Sequence, residues 1–186
     1  MPTDPTPAPA QIHEPAQAQI REAIETYLAG APPESDELDF LVGEWETRSR
    51  RFRPDGTLLV ELAGRWRGEW LLERRLLLDC YRTFAPDGRE IGASVTLRTY
   101  CPSSRAWVMT FLTPLQPDRL ISFGGQRVGD ELHLAARATD LRGHEIEARV
   151  RFYDISTDAF RWDQLTRPAG SNEWHREIEI VAKRCG

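Results

Sequence analysis

The chain has 186 residues, 40% apolar and 28% charged, which suits one soluble globular domain with a tail and a core large enough to need no staple. Its net charge of -5 gives no whole-chain attraction to nucleic acid or to an anionic membrane. Three widely spaced cysteines, Cys80, Cys101 and Cys185, argue against a disulfide framework and a zinc site, and for free thiols in a reducing cytoplasm.

Residues 1–14, "MPTDPTPAPAQIHE", are rich in Pro, Thr and Ala and read as a disordered tail. They do not pair a basic region with an apolar one, so no secretion signal is expected. No stretch approaches the roughly 20 apolar residues of a membrane span. The expected location is cytoplasmic. Residues 15–30 read as a helix, with Pro15 in its first turn, Gly30 at its end, and Ile20, Ile24, Tyr27 and Leu28 on one face. Pro32 and Pro33 break the chain. Ser35 or Asp36 is placed to cap a short helical turn over "ELDFLV".

At "LVGEW", residues 41–45, the period changes from helical to alternating, and Gly43 permits a sharp turn into the first strand. Strand-like runs then cover about 44–53, 57–70, 71–84, 89–101, 105–113, 119–128, 131–139, 144–155, 159–167 and 174–184. Pro54-Asp55-Gly56 and Pro86-Asp87-Gly88 repeat one tight-turn signature. Gly129-Asp130, Leu141-Arg142-Gly143 and Ala169-Gly170-Ser171-Asn172 mark further turns. No long helical pattern separates the strands, so an antiparallel meander is expected.

Alternation puts Ile146, Ala148, Val150 and Phe152 opposite Glu145, Glu147, Arg149 and Arg151. Ten strands with one apolar side each must hide it, and closure into a barrel removes both sheet edges. A barrel of that size has room for a ligand. The inward set contains Thr47, Ser49, Trp66, Trp70, Trp107, Trp162, Gln164 and Arg176, a mixture of aromatic and polar groups that need partners. Glu44, Asp163 and Glu177 count outward, as do His133, His144 and His175.

The triplet Gly43-Glu44-Trp45 after a short helical turn resembles the entry of the calycins, the lipocalins and fatty-acid-binding proteins. With "GRWRGEWLLERRLLLDCYR" at 64–82, "FYDISTDAFRW" at 152–162 and "EWHREIEIVAKR" at 173–184, residues 36–184 are similar to bacterial lipocalin-like barrel proteins of unknown function. The resemblance implies an all-β fold: a single antiparallel up-and-down lipocalin-like β-barrel of about ten strands, with an N-terminal helix and a short helical plug. It supplies no reaction. A related group, the nitrobindins, holds haem through a histidine near the C-terminal strand. His175 would be its counterpart, but the alternation turns it outward.

No phosphate loop, nucleophile elbow or metal-ligand spacing appears. Phe123-Gly124-Gly125-Gln126 reads as a strand kink. The arginines of "RSRRFR" and Arg65, Arg67, Arg74 and Arg75 are interleaved with Glu61, Glu69, Glu73 and Asp79, a pattern of cross-strand charge pairs on a solvated face. The expected function is binding of an apolar or amphipathic small molecule. Trp45, Trp66, Trp70, Trp107 and Trp162 would form walls, and Gln164 and Arg176 polar anchors. The alternatives are a barrel isomerase, cyclase or hydrolase for a small apolar substrate, recognisable by an inward carboxylate or histidine, and a filled barrel with a structural or interaction role. The expected partner is a small-molecule ligand, with no nucleic acid and no membrane, and the chain is a monomer or a homodimer. The sequence assigns no cofactor and no metal.

Overall fold

The computed structural model describes residues 14–140 and 143–186. Most of the segment read as a tail, residues 1–13, and part of the turn at 141–143 lie outside the described residues. The chain divides into two units, Met1–Ala31 and Pro32–Gly186. In the first, helix α1 spans Glu14–Leu28, and the Gly30 amide closes its end on the Tyr27 carbonyl. Ile20, Ile24, Tyr27 and Leu28 are exposed along it. No helix among the described residues is long and apolar enough to cross a membrane.

The second unit is a closed barrel of ten antiparallel strands. They are β1 (Gly43–Phe52), β2 (Leu58–Leu71), β3 (Leu76–Phe84), β4 (Glu90–Cys101), β5 (Ala106–Leu112), β6 (Ile121–Val128), β7 (Glu131–Thr139), β8 (Glu145–Tyr153), β9 (Ala159–Pro168) and β10 (His175–Arg184). Each pairs with the next, and β10 returns to β1 from Trp45↔Arg184 to Arg51↔Ile178. The alternation in the sequence and the pleat of the strands therefore agree nearly all the way round. The two Pro-Asp-Gly turns have the same chemistry. The Asp55 and Asp87 carboxylates accept the amides of Thr57 and Arg89 two residues on.

One end is plugged by a short 3-10 helix, Pro33–Leu41. It is longer than the expected turn, and neither Ser35 nor Asp36 caps it. Pro32 supplies the extended entry, and the buried Ser35 hydroxyl instead donates to the Arg74 carbonyl at 3.0 Å. Arg74 belongs to a turn where a strand was expected. Leu72, Glu73 and Arg74 take positive φ, so β3 begins only at Leu76. The Arg74 guanidinium reaches Asp36 and Asp39 of the plug, tying this turn to the barrel end.

"LVGEW" is the hinge between plug and barrel. Gly43 has φ +111°, a region open to glycine and strained for other residues, and a Cβ there would meet Arg184 Nη1 at 2.5 Å. The turn lets Trp45 fold back and donate its indole N–H to the Leu41 carbonyl at 3.2 Å. Arg184 covers the other side, with its guanidinium 4.1 Å from the Trp45 ring and its Nη1 donating to the Val42 carbonyl at 2.8 Å. Gly68 on β2 leaves room for the Leu41 carbonyl, where any side chain would collide.

Candidate ligand-binding cup

The plugged half of the barrel is solid. Trp45 lies 4.9 Å from Phe160, and Trp66 lies 5.5 Å from Phe160 and 6.0 Å from Phe152, all between ring centroids. Such edge contacts contribute about 0.5–1.5 kcal/mol each beyond the burial itself. Three indole N–H groups hold the plug from inside. Besides Trp45, Trp70 donates to Asp39 at 2.8 Å and Trp107 to Glu37 at 2.9 Å.

Above this floor lies a polar layer. Asp79 on β3 and Arg98 on β4 are 1% and 2% exposed and form an ion pair of 2.6 Å inside the barrel. Met109 Sδ lies 2.8 Å from Arg98 Nη1, and the Phe152 ring centroid lies 5.1 Å from the guanidinium carbon. Burial raises the proton affinity of Asp79, while Arg98, Thr96 and Trp66 pull it the other way. Burial likewise raises the Tyr81 phenol, opposed by the facing hydroxyls of Thr47 and Ser49. Five side-chain atoms here, Thr47 Oγ1, Ser49 Oγ, Trp66 Nε1, Asp79 Oδ1 and Tyr81 Oη, are buried without a well-formed hydrogen bond. Gly64 makes the space they crowd, since a Cβ there would meet Thr47 Oγ1 at 2.5 Å and Tyr81 Oη at 3.0 Å.

Asp79 corrects the reading that set it among cross-strand charge pairs on a solvated face. Its register partner Gly68 shares the inner row with Trp66, so the acidic residue read as part of a charged outer face sits in the core. The signal lay in the alternation Leu77, Asp79, Tyr81, Thr83, which carries three buried residues and the half-buried Tyr81.

Toward the other end several inward side chains are only half-buried. Leu62, Ser94, Phe111, Ile121, Ile146, Trp162, Gln164 and Ile178 occupy inner register positions yet keep partial exposure. Solvent thus reaches these inner side chains from this end, which is called the cup below. The wall also parts between β6 and β7. Their ladder runs from Val128↔Glu131 to Gly124↔Ala135 and pairs nothing nearer the mouth. A cleft of about 760 Å³ lies there, lined in part by Ile121, Ser122, Arg137, Ala138 and Ile146. Arg119 bridges it by donating to the carbonyls of Thr139 and Asp140. A second groove, about 430 Å³, lies beside the outward charged residues Glu44, Glu46, Arg65, Arg67 and Arg82 and has the character of a solvated face.

The seven candidate residues therefore divide. Trp45, Trp66 and Trp107 are buried in the floor, and Trp70 packs at the plug. Trp162 and Gln164 face the cup, next to Ile180 and Ile178. Arg176 does not face inward. The β9–β10 register shifts between Arg176 and Ile178, so the extra residue Glu177 turns every position before it over. Arg176 lands beside Leu165 on the outer face, 3.7 Å from Asp163. The same bulge corrects the two neighbouring faces. His175 pairs with Thr166 on the inner side, and Glu177 accepts a hydrogen bond from Gln164 at 3.0 Å.

Asp163 is on the outer face, as expected, but it is 0% exposed. Arg151 covers it at 2.9 Å, and the neighbouring Glu179 is covered by Arg50 and Arg161. Cys80, Cys101 and Cys185 are free thiols. The Ser103 and Ser104 hydroxyls lower the half-buried Cys101 thiol to about 7.

No family model matches the chain, and no curated protein matches it in sequence. Solved structures do match its fold. The M. tuberculosis protein Rv2717c superposes with a TM-score of 0.59 at 15% identity, covering 84% of this chain and 99% of its own. The S-type phycobiliprotein lyase CPES from Guillardia theta gives 0.55 at 9% identity, covering 81% of this chain and 92% of its own. With a closed ten-strand meander, a helical plug and these structural neighbours, the chain has a calycin-like barrel fold.

Proposed function

We propose that the upper barrel binds a small apolar or amphipathic molecule. The observation that carries this reading is the row of inward-facing, solvent-reached side chains above a sealed floor. Apolar surface that a barrel encloses without filling favours an apolar occupant. Exposed aliphatics at the same end, Leu58, Leu59, Ile91, Leu115 and Leu120, extend that surface to the rim. A barrel of the same fold serves as a phycobiliprotein lyase, which shows the architecture in chemical use.

Trp162 is the reporter, because it alone of the five candidate tryptophans stands in the cup. Titration with the neutral probe N-phenylnaphthylamine is expected to give saturable enhancement of probe emission. Trp162→Phe should remove most of the energy transfer from protein to probe while leaving the fold intact. A probe that stays dark at every concentration counts against the cup.

A catalytic reading has one foothold, the bulge that turns His175 and Glu177 to the inner face beside Gln164. Such a pair at a cup mouth has the residue types of acid–base chemistry. It requires a chemically changed product from a bound substrate, whereas a carrier returns its ligand unaltered.

A further inference from the structure

The outer wall of the barrel is charged on one side and uncharged on the other. Cross-strand ion pairs cover the outside of β1, β2, β8, β9 and β10, among them Arg48 with Glu61, Arg167 with Glu147 and Arg161 with Glu179. On β4 beyond Glu90, and on β5 and β6, no outward position among the described residues is Asp, Glu, Lys, Arg or His. Glu90 itself stands at the rim and pairs with Arg82 of β3. The registers set Leu78, Leu97, Thr110 and Ser122 in one row across the wall, and Val95 beside Leu112 in the next. Leu97 and Leu112 are each 41% exposed. A single exposed leucine needs no account, but an uncharged face that crosses four strands marks a contact surface.

A second copy of the chain is the partner that suits it. A two-fold interface sets one patch against itself, and a patch without charge is its own electrostatic complement. Two copies of net charge -5 repel each other, and this wall is where they can meet without burying an unpaired charge. The size agrees with a reversible contact. Four strands at about 4.8 Å spacing and the 7 residues of β5 at about 3.3 Å each give a footprint of about 450 Å² before side-chain relief is counted, below the roughly 800 Å² that each partner gives to a standard interface. We infer that the chain forms a reversible homodimer through the outer wall of β3–β6. The inference is independent of the cup, because these side chains point away from it.

The test is sedimentation velocity of the full chain from about 1 to about 200 μM. The native chain is expected to pass from monomer to dimer with a dissociation constant of about 10 μM. Leu97→Arg and Leu112→Arg place a charge on the wall where water already reaches, so circular dichroism should be unchanged, and each should weaken the dimer about tenfold or more. Thr110→Lys, in the row of Leu97, should act in the same direction. Arg48→Gln, on the charged side, should leave the dimer in place, as should Ile20→Glu with Ile24→Glu on the exposed stripe of α1. A native chain that stays monomeric throughout overturns the inference, and so does a dimer that survives all three wall variants. A dimer dissolved by the α1 substitutions alone assigns the contact to the helix and overturns it too.

Discussion

Asp79→Ala is expected to lower the free energy of unfolding by about 3–5 kcal/mol, read from urea denaturation at neutral pH. The pair it breaks is nearly inaccessible to solvent. Removing the carboxylate leaves a buried guanidinium beside Met109 and the Phe152 face. The pair as a whole need not stabilise the barrel. Desolvation outweighs what Arg98 returns to Asp79, as the raised proton affinity of the carboxyl shows. The double substitution Asp79→Leu with Arg98→Leu is therefore expected to be far milder than the single one, and near neutral. The sign with pH follows. A folded carboxyl whose pKa stands above its unfolded value contributes stability that is full below the unfolded pKa of about 4 and is lost as pH rises through the folded value. Native stability relative to Asp79→Asn should thus decline from about pH 4 upward. A native advantage that grows with pH would show that the ion pair, and not desolvation, governs the site.

The fold was legible because one rule, alternation, ran through nearly every strand and because the Pro-Asp-Gly turns broke it at regular places. Gly43 and Trp45 announced the plug for a local reason, since only glycine tolerates the turn that folds the indole back. The site was legible only in part. The inward face of Trp162 and Gln164 was legible because β9 is regular up to them. Arg176, His175 and Glu177 were misplaced by a single extra residue, and nothing in "EWHREIEI" marks where a bulge will fall. Asp79 was hidden by composition. Surrounded by arginines in sequence, it reads as one more surface charge until the register puts it in a row with Trp66 and Leu77. Burial of a charge is set by pairs on neighbouring strands, which a single segment does not reveal.

Trp45→Ala is expected to cost about 3–5 kcal/mol and to lower the melting temperature by roughly 10 °C. The side chain is fully buried, and it joins every layer of the closed end. Its ring packs on Phe160, its N–H holds the Leu41 carbonyl, and its outer face carries Arg184 from the last strand. Truncation leaves a cavity among rigid aromatic neighbours, which cannot collapse to fill it. It also frees the Leu41 carbonyl, which lies against Gly68 with no room for a compensating shift. The contrast with Trp162→Phe separates floor from cup. That ring is half-buried, and its exchange for phenylalanine should cost under about 1.5 kcal/mol. Proteolysis offers an independent reading, because loosening of the plug should expose Pro33–Leu41 before any strand is cut. If Trp45→Ala proved as mild as Trp162→Phe, the closed end would not be the rigid floor on which the cup stands, and ligand binding would have to be sought outside the barrel axis.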